Sequence, residues 1–138
     1  MTPVHLRVLN RQVQSGEEPQ ELELVTEARY AFKNGTHYLL YDESALSGLD
    51  AARTTLKITE DQVSIRRHGN QESVLQFQVG RRFTTQYPTP YGSLKLELTT
   101  QALAVNIAEG PKGTVQIRYT MMMQSTLESR NEIDIEIF

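Results

Sequence analysis

The chain has 138 residues, 38% hydrophobic and 22% charged, with a formal net charge of -3, which fits one soluble domain with a sizeable core. It contains no cysteine, which excludes a disulfide framework, a zinc–thiolate site and a cysteine nucleophile, and its well-mixed, slightly acidic charge argues against a nucleic-acid surface. No run approaches the roughly 18 apolar residues of a membrane helix and the first residues show no apolar leader core, so the expectation is one cytoplasmic domain over residues 1–138 with no membrane partner.

Val4, Leu6 and Val8 alternate with His5, Arg7 and Leu9. This reads as a strand, at a sheet edge or at a barrel seam. Residues 14–20 form a polar turn. Leu22, Leu24, Thr26, Ala28, Tyr30 and Phe32 then share one parity, and Glu21, Glu23, Glu27 and Arg29 the other. One buried face and one wet face mark an antiparallel sheet. Asn34-Gly35 between two such runs predicts a tight hairpin, because both central positions need φ > 0. The return strand spans 37–43. Residues 44–52 break the pattern and read as one helical turn or an irregular loop. Leu56 and Ile58 share a face on the next strand, as do Val63, Ile65 and Arg67 on the one after. Gly69-Asn70 reads as a hairpin turn. A strand over 72–79 follows, with Leu75, Phe77 and Val79 on one parity. Gly80 starts a bend or bulge, and 81–87 is extended.

Tyr87-Pro-Thr-Pro-Tyr-Gly92 is a stiff corner. Pro88 and Pro90 fix their own φ and hold Tyr87 and Thr89 extended. Leu94, Leu96 and Leu98 then alternate with Lys95 and Glu97. A separate strand over 101–109 carries Leu103, Val105 and Ile107 on one face. After a turn at 110–113, Val115, Ile117, Tyr119, Met121 and Met123 share a face. Residues 125–130 read as a polar connection, and 131–138 as a last strand with Ile133, Ile135 and Ile137 inward. All five prolines fall between runs. Short connections and the lack of a helical period predict an all-β fold: a single antiparallel up-and-down β-barrel of about eight to ten strands.

Four segments carry a resemblance: 30–43, with its Lys-Asn-Gly turn and Tyr-Leu-Leu-Tyr-Asp-Glu; 63–69, Val-Ser-Ile-Arg-Arg-His-Gly; 77–80, Phe-Gln-Val-Gly; and 87–96, Tyr-Pro-Thr-Pro-Tyr-Gly-Ser-Leu-Lys-Leu. On these the chain resembles the YwiB-like family of small bacterial proteins of unknown function, which have a calycin-like β-barrel. The resemblance implies a lipocalin- or fatty-acid-binding-protein-like barrel. It brings no established activity and no catalytic residues.

One polar set stands out as a candidate site: Tyr41, Glu43, Arg67, Tyr87 and Tyr91. An arginine on an otherwise apolar face must find a carboxylate or a ligand anion, since burying it unpaired is very costly. Two readings follow. Arg67 anchors an anionic ligand, or an internal Arg67–Glu43 pair closes one barrel end. In both, the guanidinium points inward and meets Glu43 or the hydroxyl of Tyr41 or Tyr87. His5, His37 and His68 are isolated, with no metal-ligand spacing. No serine sits in a Gly-x-Ser-x-Gly elbow, and there is no glycine-rich phosphate loop. No catalytic residue, metal or cofactor is therefore assigned, and an enzyme is the less favoured class. Met121 and Met123 are adaptable pocket lining or core filler. The functional expectation is a barrel that binds a small amphipathic or anionic ligand. The alternative is a protein-interaction or assembly module whose barrel is filled by its own side chains. A homodimer is compatible with either. An open interior favours the first, a filled one the second.

Overall fold

A computed structural model describes residues 1–42, 53–69, 72–108 and 111–138. Ten strands are present among them: β1 (Thr2–Gln14), β2 (Gln20–Lys33), β3 (Thr36–Asp42), β4 (Arg53–Ile58), β5 (Val63–His68), β6 (Ser73–Phe77), β7 (Arg82–Thr89), β8 (Gly92–Ala108), β9 (Lys112–Met123) and β10 (Leu127–Ile137). They form one sheet in the order β6-β5-β4-β3-β2-β1-β10-β9-β8-β7. Apart from β6 and β7, each strand pairs antiparallel with its sequence neighbours, and β1 pairs with β10. The meander thus closes where its two ends meet, giving the expected all-β barrel with β1 at the seam. Closure is incomplete at one place: no ladder joins β6 to β7 among the described residues.

Alternation along each strand builds the core. Leu6, Leu39, Leu56, Ile58, Val63, Phe77, Leu98, Val115, Ile117, Ile135 and Ile137 are almost fully buried and come from eight of the ten strands. Burying each such side chain contributes roughly 1.5–3 kcal/mol. On the outer wall, Arg7–Glu23 (3.2 Å), Arg118–Glu132 (3.7 Å) and Arg11–Glu21 (3.9 Å) pair across strands. Exposed pairs contribute about 0–1 kcal/mol each, so they fix register more than stability. The hairpin at Asn34 (φ 52°) and Gly35 (φ 77°) forms as predicted.

The structure corrects the strand parse in several places. β8 is one strand of 17 residues, not two. Leu94, Leu96 and Leu98 face inward on even positions, and Leu103, Val105 and Ile107 on odd ones. A bulge between Thr100 and Ala102 absorbs the change. β10 begins at Leu127, inside the segment expected to be a polar connection. Its Ser129 and Asn131 face inward and bond each other, with Asn131 Nδ2 3.0 Å from Ser129 Oγ and 3.2 Å from the Ser129 carbonyl. The β9–β10 turn uses Gln124 and Ser125 at left-handed φ with no glycine. Gln124 is tied to β8, its N–H donating to the Lys95 carbonyl at 2.9 Å while its Oε1 accepts from the Lys95 N–H at 3.2 Å. Val79 is exposed, not inward, because the chain turns at Gly80 and Arg81 N–H returns to the Gln78 carbonyl. Leu22 and Phe32 have inward parity but are exposed. β3 pairs with β2 only over Arg29–Lys33, so Leu22 projects beyond that wall, and Phe32 sits at the hairpin end. The expectation for 44–52 and the Asn70 half of the second hairpin signal lie outside the described residues.

This packing sets the cost of individual substitutions. Phe77→Ala removes a fully buried ring and should lose about 3–5 kcal/mol in urea unfolding, whereas Leu22→Ala should stay within roughly 0.5 kcal/mol. Gly113 lies against the β8 backbone, where an added Cβ would collide with the Asn106 carbonyl oxygen and the Ile107 Cα. Gly113→Ala should therefore destabilise by roughly 1–3 kcal/mol. A stabilised variant would show that β8 and β9 separate more easily than their register implies.

Candidate functional site

Register decides which inward residues become neighbours. On β3 to β6, Tyr41, Thr54, Arg67 and Ser73 are successive cross-strand partners. Every member of this row is polar or phenolic, and the rows beneath it are apolar apart from His37: Leu39, Leu56, Ile65, Leu75, then His37, Ile58, Val63, Phe77. On the other wall, Thr100, Tyr119, Asn131 and Gln12 form a second row in the same way. Thr54, Ser73, Tyr119, Asn131, Ser129 and Thr100 were not singled out from the sequence, yet all are buried. Parity marks them as inward, but only strand register shows that they line up.

Arg67 connects the two walls. Its Nη1 donates to the Tyr87 hydroxyl at 2.9 Å. Arg67 is on β5 and Tyr87 on β7, with β6 between them in the chain. The β6 residue opposite Arg67 is Ser73, whose short side chain leaves the guanidinium room to pass. A side-chain hydrogen bond thus crosses the place where the backbone ladder is missing. Tyr119 belongs to the same group. Burial pushes its phenol up to about 12, the Arg67 charge pulls it back somewhat, and Tyr87 adds to the rise. Tyr119 is consequently a neutral donor at any physiological pH. Its ring also packs on Phe77, centroid to centroid 4.7 Å.

Of the five residues singled out from the sequence, Arg67 and Tyr87 are in direct contact, and Tyr41 is buried on the same row as Arg67. Tyr91 is not brought to the group. It is 100% exposed at the tip of the β7–β8 turn, where Thr89 Oγ1 accepts from its backbone N–H at 3.2 Å. Alternation stops at that turn, so parity carried no information about its side chain. Glu43 lies outside the described residues.

Beneath these polar groups the barrel is open. A cavity of about 780 Å³ is lined by Val8, Leu24, Leu56, Ile65, Leu75, Ile133 and Ile135, with Tyr41, Arg67, Tyr119, Met121 and Asn131 as polar and thioether surfaces, and it reaches the charged outer residues Arg11, Glu21, Glu23 and Glu132. That volume falls within the range of small-molecule pockets. Among the described residues the buried Thr54 hydroxyl has no hydrogen-bond partner. At the hairpin end, Tyr30 Oη and His37 Nδ1 are 2.6 Å apart. Burial raises Tyr30 and lowers His37, so the hydrogen bond joins a neutral phenol and a neutral imidazole. Among the described residues there is no cluster of three or more metal-ligating side chains.

The family model described as "Domain of unknown function (DUF1934)" matches residues 6–135. The chain is similar to the uncharacterized beta-barrel protein YwiB of Bacillus subtilis, 26% identical over 134 residues, covering 97% of this chain and 92% of that one. The crystal structure of the Bacillus subtilis ywiB protein superposes with a TM-score of 0.79 at 26% identity, over 98% of this chain and 91% of that one.

Tyr87→Phe removes the acceptor of a guanidinium donor held inside the wall, and should lower unfolding free energy by roughly 1–3 kcal/mol in urea. His37 gives a pH dependence. Its folded value lies below the ordinary 6.5, so the unfolded chain binds more protons between the two values. Stability should accordingly fall as pH drops from about 6.5 to the folded value, then level off. Unfolding titrations of His37→Phe should lose that slope; an unchanged slope would mean that His37 does not supply it.

Proposed function

The chain belongs to the DUF1934 family, and we propose that its barrel holds one small amphipathic anion, with the head at Arg67 and the apolar body in the cavity. The observation that carries this is the joint presence of an open interior of about 780 Å³ and one guanidinium flanked by two phenols at its edge. A carboxylate matches that set. The guanidinium offers donors in a planar fork, and Tyr119, held neutral, can add an O–H. Leu24, Leu56, Ile65 and Leu75 suit a hydrocarbon body, and Met121 adapts to its outline. The interaction-module alternative rests on a filled barrel, and the cavity speaks against that. We read the protein as a non-enzymatic binding barrel acting in the cytoplasm, in keeping with its lack of cysteine.

Calorimetry with dodecanoate and dodecanol tests this. Dodecanoate should bind and dodecanol bind less well. Arg67→Met should weaken dodecanoate by roughly 10–100-fold, the value of a hydrogen bond to a charged group, with little effect on dodecanol. If dodecanoate does not bind, and Arg67→Met destabilises the fold unless Glu43→Gln accompanies it, then Arg67 belongs to an internal ion pair and the ligand reading is wrong.

A further inference from the structure

We infer that two copies of this chain associate through the outer face of β2, the two strands running antiparallel across a two-fold axis. The outward residues of β2 are Glu21, Glu23, Val25, Glu27, Arg29, Ala31 and Lys33. The central four, Val25 to Ala31, read apolar, acidic, basic, apolar. This pattern is its own complement when reversed. Laying one β2 antiparallel on another puts Glu27 on the copy's Arg29 and Val25 on its Ala31. A two-fold axis between Glu27 and Arg29 then repeats each contact twice, as an isologous interface requires.

Three observations single out this strand. First, Glu27, Arg29 and Lys33 have no ion-pair partner among the described residues, while the neighbouring outer charges Arg7, Glu23, Arg11 and Glu21 are already paired within the chain. Secondly, apolar surface sits beside the unpaired charges: Val25 is 50% exposed, and Leu40, opposite Arg29 on β3, is 39% exposed. Thirdly, neither charge type dominates the face. A nucleic acid or an anionic membrane would be repelled by half of it, whereas a second copy satisfies both halves. The wall of a barrel is convex, so contact is confined to a narrow strip, and such small polar interfaces are weak and screened by salt. Glu27 and Arg29, which carry the contact, do not line the cavity of about 780 Å³, although Val25 does.

Charge reversal tests the proposal on the full chain. Sedimentation velocity at low ionic strength should show a concentration-dependent dimer that dissociates at high salt. Glu27→Lys and Arg29→Glu should each raise the dissociation constant by at least about tenfold, because each sets like charges opposite one another twice. Both lie on the surface, and circular dichroism should show an unchanged fold. Mixing the two variants is the decisive arm. In the mixed dimer the two substituted positions face each other at one contact, as an ion pair of swapped sign, and the native pair remains at the other, so affinity should return to the wild-type value. A monomeric wild-type chain, a dimer that neither reversal weakens, or a mixture that stays monomeric each overturns the proposal; the first would leave the face to a partner of different composition.

Discussion

The barrel is organised around an interruption. Backbone ladders run without a break from β7 round to β6, and among the described residues only the parallel bridge of Val79, just past β6, to Thr100 of β8 continues them. Two strand edges with unpaired N–H and C=O groups are ordinarily a route to aggregation. Here they face each other across the same wall, and Arg67 reaches over Ser73 to Tyr87 to tie one side to the other. A charged donor is suited to that task because its hydrogen bond is about twice as strong as a neutral one. It also places a permanent positive charge on the inner wall. The chemistry of the interior follows from that charge.

The interior divides along the barrel axis. Around Ile58, Val63, Phe77 and Leu98 the side chains leave almost no exposed area, and this end is core in the ordinary sense. Toward Ile65, Arg67, Leu75 and Met121 the inward residues are only partly covered and enclose open volume. Ten strands make a wide barrel, and filling it would take large apolar side chains on every inward position. The sequence instead places Thr54, Ser73, Thr100, Ser129 and Asn131 there. These are too small to meet across the middle, and polar enough to need partners. Ser129 and Asn131 find them in each other, while the Thr54 hydroxyl finds none among the described residues.

Period-two alternation made the fold class legible, and the hairpin at Asn34-Gly35 was readable from the φ requirement of its turn. What alternation could not convey is what happens when it changes phase. The shift from Leu98 to Leu103 looks identical in sequence whether a strand ends or bulges, and only the continuous pairing of β8 with β9 on both sides of Gln101 distinguishes the two. The start of β10 was hidden for a different reason. Inward serine and asparagine mimic a loop composition, although they satisfy each other inside a strand. The site was half visible. Arg67 stood out because a charge broke an apolar parity, and Tyr87 because the proline corner held it extended. Tyr119 gave no such signal, since a tyrosine among Val115, Ile117 and Met121 reads as core until register sets it beside Thr100 and Asn131.

The protonation state of Tyr119 shapes the inner site. Tyr119 stays protonated far above neutral pH because its anion would be desolvated. It thus sets a neutral hydroxyl beside the Arg67 guanidinium and does not offset that charge by ionising. Bringing a charge against the neighbouring rows of leucine and isoleucine is costly, so charge on this wall is tolerated at the Arg67 row and not below it. The same Arg67 that ties β5 to β7 therefore also divides the inner wall into a polar row and an apolar body, because both effects arise from one cation on an otherwise apolar face.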